Sequence, residues 1–158
     1  MLTNLTALIQ AHTCEHFDYN FAVDWAISLI QEGKETPNIV MLASFGAPID
    51  SLEIRPYVSA VLKDFGLEEL EGDEAVLSVI HYYTFEIWQG RFTRKNLRQL
   101  HELYLQYNRN FDLVPFYLLY YSWNALEARE ENYYYDGATL DNIEALLKTV
   151  AQKWLESH

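Results

Sequence analysis

Cysteine is nearly missing from this 158-residue chain: Cys14 stands alone. An intramolecular disulfide is therefore excluded, and a reducing compartment is the expected setting. Proline and glycine are also scarce, at four and six residues, and they fall between apolar runs rather than inside them. That pattern leaves no proline-rich linker and no low-complexity tract. No apolar run approaches the roughly 20 residues of a membrane span. The opening MLTNLTALIQAH has neither the basic n-region nor the apolar h-region of a secretion signal, so a cytoplasmic location is expected. The glycosylation sequon at Asn4 would go unused there.

Positive charge is the other shortage. Eleven Lys and Arg stand against 23 Asp and Glu, for a net charge of −12 and a pI near 4.7. Such a chain is not expected to bind nucleic acid or an anionic membrane directly. The acidity suits a cationic partner, or serves solubility alone. What is plentiful is apolar: hydrophobic residues make up 50% and aromatics 15%, which excludes a disordered chain. The length predicts one domain, spanning 1–158, able to bury roughly two-thirds of its unfolded surface.

The spacing of apolar residues is helical almost throughout. Leu2, Leu5, Leu8 and Ile9 form a first short stripe. A second runs from Asn20 through Phe21, Trp25, Leu29 and Ile30 to a C′ glycine at Gly33. Thr36 and Pro37 suit the cap and first position of a third helix, closed at Gly46. DSLE, residues 50–53, opens a fourth that ends at Gly66, with Pro56 inside it predicting a late start or a bend. Asp73 is expected to cap a helix running to Gly90, and Thr93 another with Leu97, Leu100, Leu103 and Tyr104. Asp112 precedes LVPFYLLYYSWNALEA, where Pro115 fits the first turn, and Thr139 opens the last helix. The reading is all-α: about eight short helices stacked as antiparallel αα-hairpins, in a compact bundle or a short superhelix.

Catalytic signatures do not appear. No serine lies in a GxSxG elbow, and GKETP lacks the upstream glycine of a phosphate loop. HTCEH, residues 12–16, is the one metal-like stretch: His12 and His16, four apart, would share a helix face beside Cys14 and Glu15. His81 or His101 would have to supply a third ligand. HExxH, paired cysteines and the Glu-x-x-His of di-iron proteins are all missing, so a polar cluster at a helix end is the competing reading. The expectation is a non-enzymatic protein without metal or cofactor.

Two acidic stretches say more. DFGLEELEGDE, residues 64–74, carries six carboxylates, Glu68, Glu69 and Glu71 among them, and no basic residue. Without a partner it reads as a solvated loop whose last acids favour a helix dipole. EAREENYYYDGATLD, residues 127–141, sets Glu127, Glu130, Glu131 and Asp136 around Tyr133, Tyr134 and Tyr135. Three successive side chains sweep about 200° on a helix, so one face cannot bury all three rings. The run is expected to be part core and part interface. Exposed tyrosine offers a large contact area with few torsions to freeze. Amid carboxylates it suits a lysine- and arginine-rich protein.

Residues 21–67, with Asp24-Trp25-Ala26, Gly33, Thr36-Pro37, Leu42-Ala43, Glu53 and Tyr57, resemble a pattern of small bacterial helical proteins. The overall profile (small, acidic, helical and rich in aromatics) is similar in type to the immunity proteins of bacterial toxin systems. That resemblance implies a protein that blocks a cationic toxin domain, often a nuclease, by binding it tightly; it carries over no functional residue. A helical adaptor or scaffold is the alternative, and a metal-dependent enzyme built on His12 and His16 the third reading.

Overall fold

The computed structural model describes residues 2–107 and 111–158. Among the described residues every regular element is an α-helix: α1 (Leu2–Gln10), α2 (Asn20–Gln31), α3 (Pro37–Ala43), α4 (Ser51–Asp64), α5 (Gly72–Trp88), α6 (Thr93–Tyr107), α7 (Val114–Glu127) and α8 (Ile143–Ser157). Contacts group the chain into two units, Met1–Val79 and Ile80–His158, with α5 passing from one to the other. Neighbours in sequence pack on one another, as short connections dictate: α1 on α2, α2 on α3 and α3 on α4, then α6 on α7 and α7 on α8.

In the first unit the stripe of α2 faces inward. Trp25, Ala26 and Leu29 meet Ile39 and Leu42 of α3 and Ile54, Val58 and Leu62 of α4. From α1, Leu8 and Ile9 are buried, while the Leu2 side chain lies outside the described ones. In the second unit Leu97, Leu100, Phe116, Leu119, Ile143, Leu147 and Trp154 are buried from α6, α7 and α8.

Local chemistry sets most helix ends. Thr36 Oγ1 accepts the Ile39 amide at 3.2 Å, and Asp50 Oδ1 accepts the Leu52 amide at 2.8 Å. α4 closes at Gly66, whose φ of +67° lets the Leu67 amide turn back to the Leu62 carbonyl at 2.9 Å and sends Leu67 onto the core. Four ends differ from expectation. Thr139 does not open α8 directly: its Oγ1 accepts the Asn142 amide at 3.2 Å in a turn, and the helix begins at Ile143. α3 stops at Ala43, short of Gly46, where the Ser44 hydroxyl donates to the Met41 carbonyl at 2.6 Å. α5 begins at Gly72 (φ +58°), so Asp73 and Glu74 lie inside its first turn, where they complement the positive end of the helix dipole instead of Asp73 acting as the cap. Thr93 is the first residue of α6, with its hydroxyl 3.3 Å from Glu144 Oε1. Pro56 does not delay α4 either. The carbonyl its missing amide frees belongs to exposed Leu52, where water can serve it.

Candidate functional site

The tyrosine run lies in the irregular stretch between α7 and α8, so neither helical nor strand geometry governs its rings. Asn132 organises it. Its Oδ1 accepts the amides of Tyr134 at 3.0 Å and Tyr135 at 3.3 Å, while its Nδ2 donates to the Tyr135 carbonyl at 2.8 Å. This is the local side-chain-to-backbone bonding for which asparagine is favoured in turns. The consequence is three different fates for three identical residues. Tyr133 is 80% exposed and donates its hydroxyl to Glu131. Tyr134, 45% exposed, leans on Tyr121 with ring centroids 5.4 Å apart. Tyr135 is half-buried. None of the three is core.

Tyr134 continues an aromatic array on α7. Tyr117, Tyr120 and Tyr121 stand at i, i+3 and i+4, so they share one side of that helix, and all three are half-buried. They surround His101 of α6, whose ring stacks on Tyr120 at 4.0 Å and meets Tyr121 edge-on at 5.3 Å. Tyr104, one turn along α6, packs on Tyr117 at 4.4 Å. Burial lowers the pKa of His101; Glu102 works against that shift and Arg98 with it. His101 Nδ1 makes no hydrogen bond, since Glu102 Oε1 stands 4.0 Å away. Burial, neighbouring phenols and Glu102 together raise the pKa of Tyr121, which keeps its hydroxyl protonated and able to donate at physiological pH.

The acids around this array are not equivalent. Glu127 is bound to Arg94, which holds its carboxyl below the ordinary range. The same guanidinium donates to Asn124 Oδ1 at 2.9 Å and lies 5.2 Å from the Trp123 ring centre. Glu127 is therefore committed within the protein, whereas Glu130, Glu131 and Asp136 are exposed. Half-exposed π faces beside uncompensated carboxylates attract a lysine or arginine side chain by cation–π and ionic terms together.

In the first unit the acidic segment is partly spent on structure. The Leu70 amide donates to the Gln10 carbonyl at 2.8 Å, Gln10 Nε2 to the Glu68 carbonyl at 3.0 Å and Thr13 Oγ1 to the Leu70 carbonyl at 2.8 Å. Glu69 turns inward: its Oε1 lies 2.6 Å from His12 Nε2 and accepts the Ser59 hydroxyl as well. Glu68 and Glu71 are exposed, and Glu69 itself keeps a third of its side chain open to solvent. His12 is fully buried, and its Nδ1 lies 3.0 Å from the Tyr19 hydroxyl, which also reaches the His12 carbonyl at 2.9 Å. Arg55 Nε donates to the same phenolic oxygen at 3.2 Å. Burial lowers the pKa of His12 against the opposing hydrogen bond and charge of Glu69, with Arg55 adding to the shift. The neutral ring then donates from Nε2 to the carboxylate and leaves Nδ1 and the carbonyl to share the single phenolic hydrogen.

His12 and His16 do not share a helix face. α1 ends at Gln10, and His16, at φ +62°, carries a side chain that is 79% exposed. Both nitrogens of His12 are occupied, so neither is free to ligate a metal or relay a proton to a solute. Among the described residues no group of three or more His, Cys, Asp and Glu side chains converges as a metal site. His81 is exposed and meets Trp154 edge-on at 6.2 Å, while His101 is enclosed by tyrosines.

Sequence reading had no signal for the His12–Glu69 partnership, whose members lie 57 residues apart. Arg55 and Ser59, at i and i+4 on α4, were the nearest thing to one. Comparison with protein-family models, with curated proteins and with solved structures returned no match.

Proposed function

We propose that this chain is a non-enzymatic protein-binding module of immunity or inhibitor type, acting in the cytoplasm on a basic partner such as a toxin domain. The surface assigned to that partner comprises Tyr133 and Tyr134, the tyrosines of α7 behind them, and Glu130, Glu131 and Asp136. One observation carries the reading. Tyr134 is nearly half exposed, yet Asn132 fixes its backbone and Tyr121 backs its ring. An aromatic side chain held in place before contact loses little entropy on binding, which is what a residence-time anchor requires. The net charge of −12 supplies long-range attraction for a cationic surface.

The test is affinity capture by the immobilised chain, in parallel with a Tyr133→Ala/Tyr134→Ala variant. The expected result is a basic protein retained by the parent chain and weakened at least tenfold by the double substitution. A captured partner that is acidic, or one indifferent to the two tyrosines, would refute the assignment.

A further inference from the structure

We infer that the second unit also binds a small organic acid, with an apolar body lying in a cleft between α7 and α8 and its carboxylate held by Lys153 and Tyr135. The inference goes beyond the protein-binding reading and does not require it. The cleft has a volume of about 410 Å³, within the ~300–1,000 Å³ of ordinary ligand sites. Its walls are Phe116 and Leu118 from α7 with Val150 and Trp154 from α8.

The polar groups around it decide the ligand. Trp154 Nε1 donates to the Phe111 carbonyl at 2.9 Å, and the Ser157 hydroxyl to the Lys153 carbonyl at 3.1 Å. His158 stacks on Trp154 with ring centroids 4.2 Å apart, donates from Nδ1 to the Trp154 carbonyl and sets Nε2 3.1 Å from Asp112 Oδ2. The Trp154 indole and the Ser157 hydroxyl are thus satisfied within the protein, and His158 makes both of its contacts as hydrogen bonds when both ring nitrogens carry protons. Two other groups are not: the Lys153 ammonium and the Tyr135 hydroxyl have no hydrogen bond or ion pair among the described residues, and both line the cleft.

Among the residues lining the cleft Lys153 is the one lysine or arginine, and its ammonium is open to solvent and to a ligand. The Tyr135 phenol, on the lining of the same cleft, adds a second donor. Two donors at an apolar cleft match the two oxygens of a carboxylate, whereas a phosphate would leave acceptors unserved and an amine would meet Lys153. The arrangement also gives Tyr135 a reason to face inward while Tyr133 faces water.

The experiment is a titration of the full chain with octanoate, 1-octanol and octylamine, read by calorimetry and by the NMR shift of the Trp154 indole N–H. Octanoate should bind one-to-one and saturably, the alcohol at least about tenfold more weakly, and the amine not at all. Lys153→Met keeps the aliphatic stem and should reduce octanoate to the level of the alcohol; Tyr135→Phe should weaken it several-fold. Neither side chain is part of the buried core, so both variants should keep the parent circular dichroism and melting temperature. Equal affinity for the three amphiphiles, no saturable shift at Trp154, or undiminished octanoate binding by folded Lys153→Met would overturn the inference.

Discussion

His12 Nε2 lies 2.6 Å from Glu69 Oε1, joining residues 57 apart in sequence through a ring with no solvent exposure. The contact clasps the segment after α4 to the end of α1, and its two members titrate in the same sense. Burial holds His12 below its ordinary value of 6.5. For Glu69 burial pushes upward, but hydrogen bonds from Ser59 and His12 outweigh it, and the net shift is below 4.5.

The sign of the pH dependence follows. Below pH 6.5 the unfolded chain protonates His12 while the folded chain resists, so the unfolded state binds more protons and stability falls with pH. His101, also lowered by burial, adds to the same stage. Glu69 adds a second stage below pH 4.5, lost as pH falls through its folded value. Each group contributes a slope of at most about 1.4 kcal/mol per pH unit. Urea titrations between pH 4 and 8 should show stability declining from pH 6.5 downward, with His12→Gln reducing the upper slope. A flat profile to pH 5 would mean the histidines are not desolvated.

Removing one side of the clasp should cost more than removing an exposed acid. Glu69→Ala strands the buried Nε2–H of His12, at about 1–3 kcal/mol, whereas Glu68→Ala and Glu71→Ala should change stability by less than about 0.5 kcal/mol. Amide exchange adds a local readout: the Leu70 N–H, bonded to the Gln10 carbonyl, should lose protection in Glu69→Ala. Equal effects from the three glutamates would show that the contact contributes nothing.

Trp25 is 1% exposed among α2, α3 and α4, with its Nε1 3.3 Å from Thr6 Oγ1 and its ring edge-on to Phe65 at 6.3 Å. Trp25→Ala should destabilise the chain by about 3–5 kcal/mol. A denaturant titration showing less than about 1 kcal/mol would place the ring at the periphery.

The helices were legible because 3.6-residue spacing and capping chemistry are local. Thr36, Asp50, Gly33 and Gly66 end their helices as their residue types demand. Thr93 failed as a cap because its hydroxyl faces a carboxylate 51 residues away, which no local rule anticipates. The site was less legible for the same reason. Tyr117, Tyr120 and Tyr121 lie in the run LVPFYLLYYSWNALEA with no local mark that sets them apart, and only the packing of α6 and α7 reveals their half-burial around His101. Asn132 did carry a signal, since asparagine favours turns, but its four backbone contacts, to Tyr134, Tyr135 and Ala138, decide which tyrosine faces where.

The acids and the tyrosines of the proposed binding surface should separate kinetically. Glu130, Glu131 and Asp136 are exposed and act over a Debye length of about 8–10 Å, before any contact forms. Neutralising them to Gln, Gln and Asn should slow association with the basic partner and flatten its dependence on salt, leaving dissociation nearly unchanged. Tyr134 acts only at contact, through a ring backed by Tyr121, so Tyr134→Ala should accelerate dissociation at least tenfold with little change in association. Asn132→Ala distinguishes prearrangement from contact area. It keeps every ring but frees the two tyrosine amides that its Oδ1 accepts, so the competent fraction should fall, overall association should slow and affinity should drop without loss of an aromatic contact. The measurement is a set of on- and off-rates for the three variants across a salt series. Tyrosine and acid variants that alter the same rate constant would sink the division of labour, and parent-like rates in all three would put the interface elsewhere on the chain.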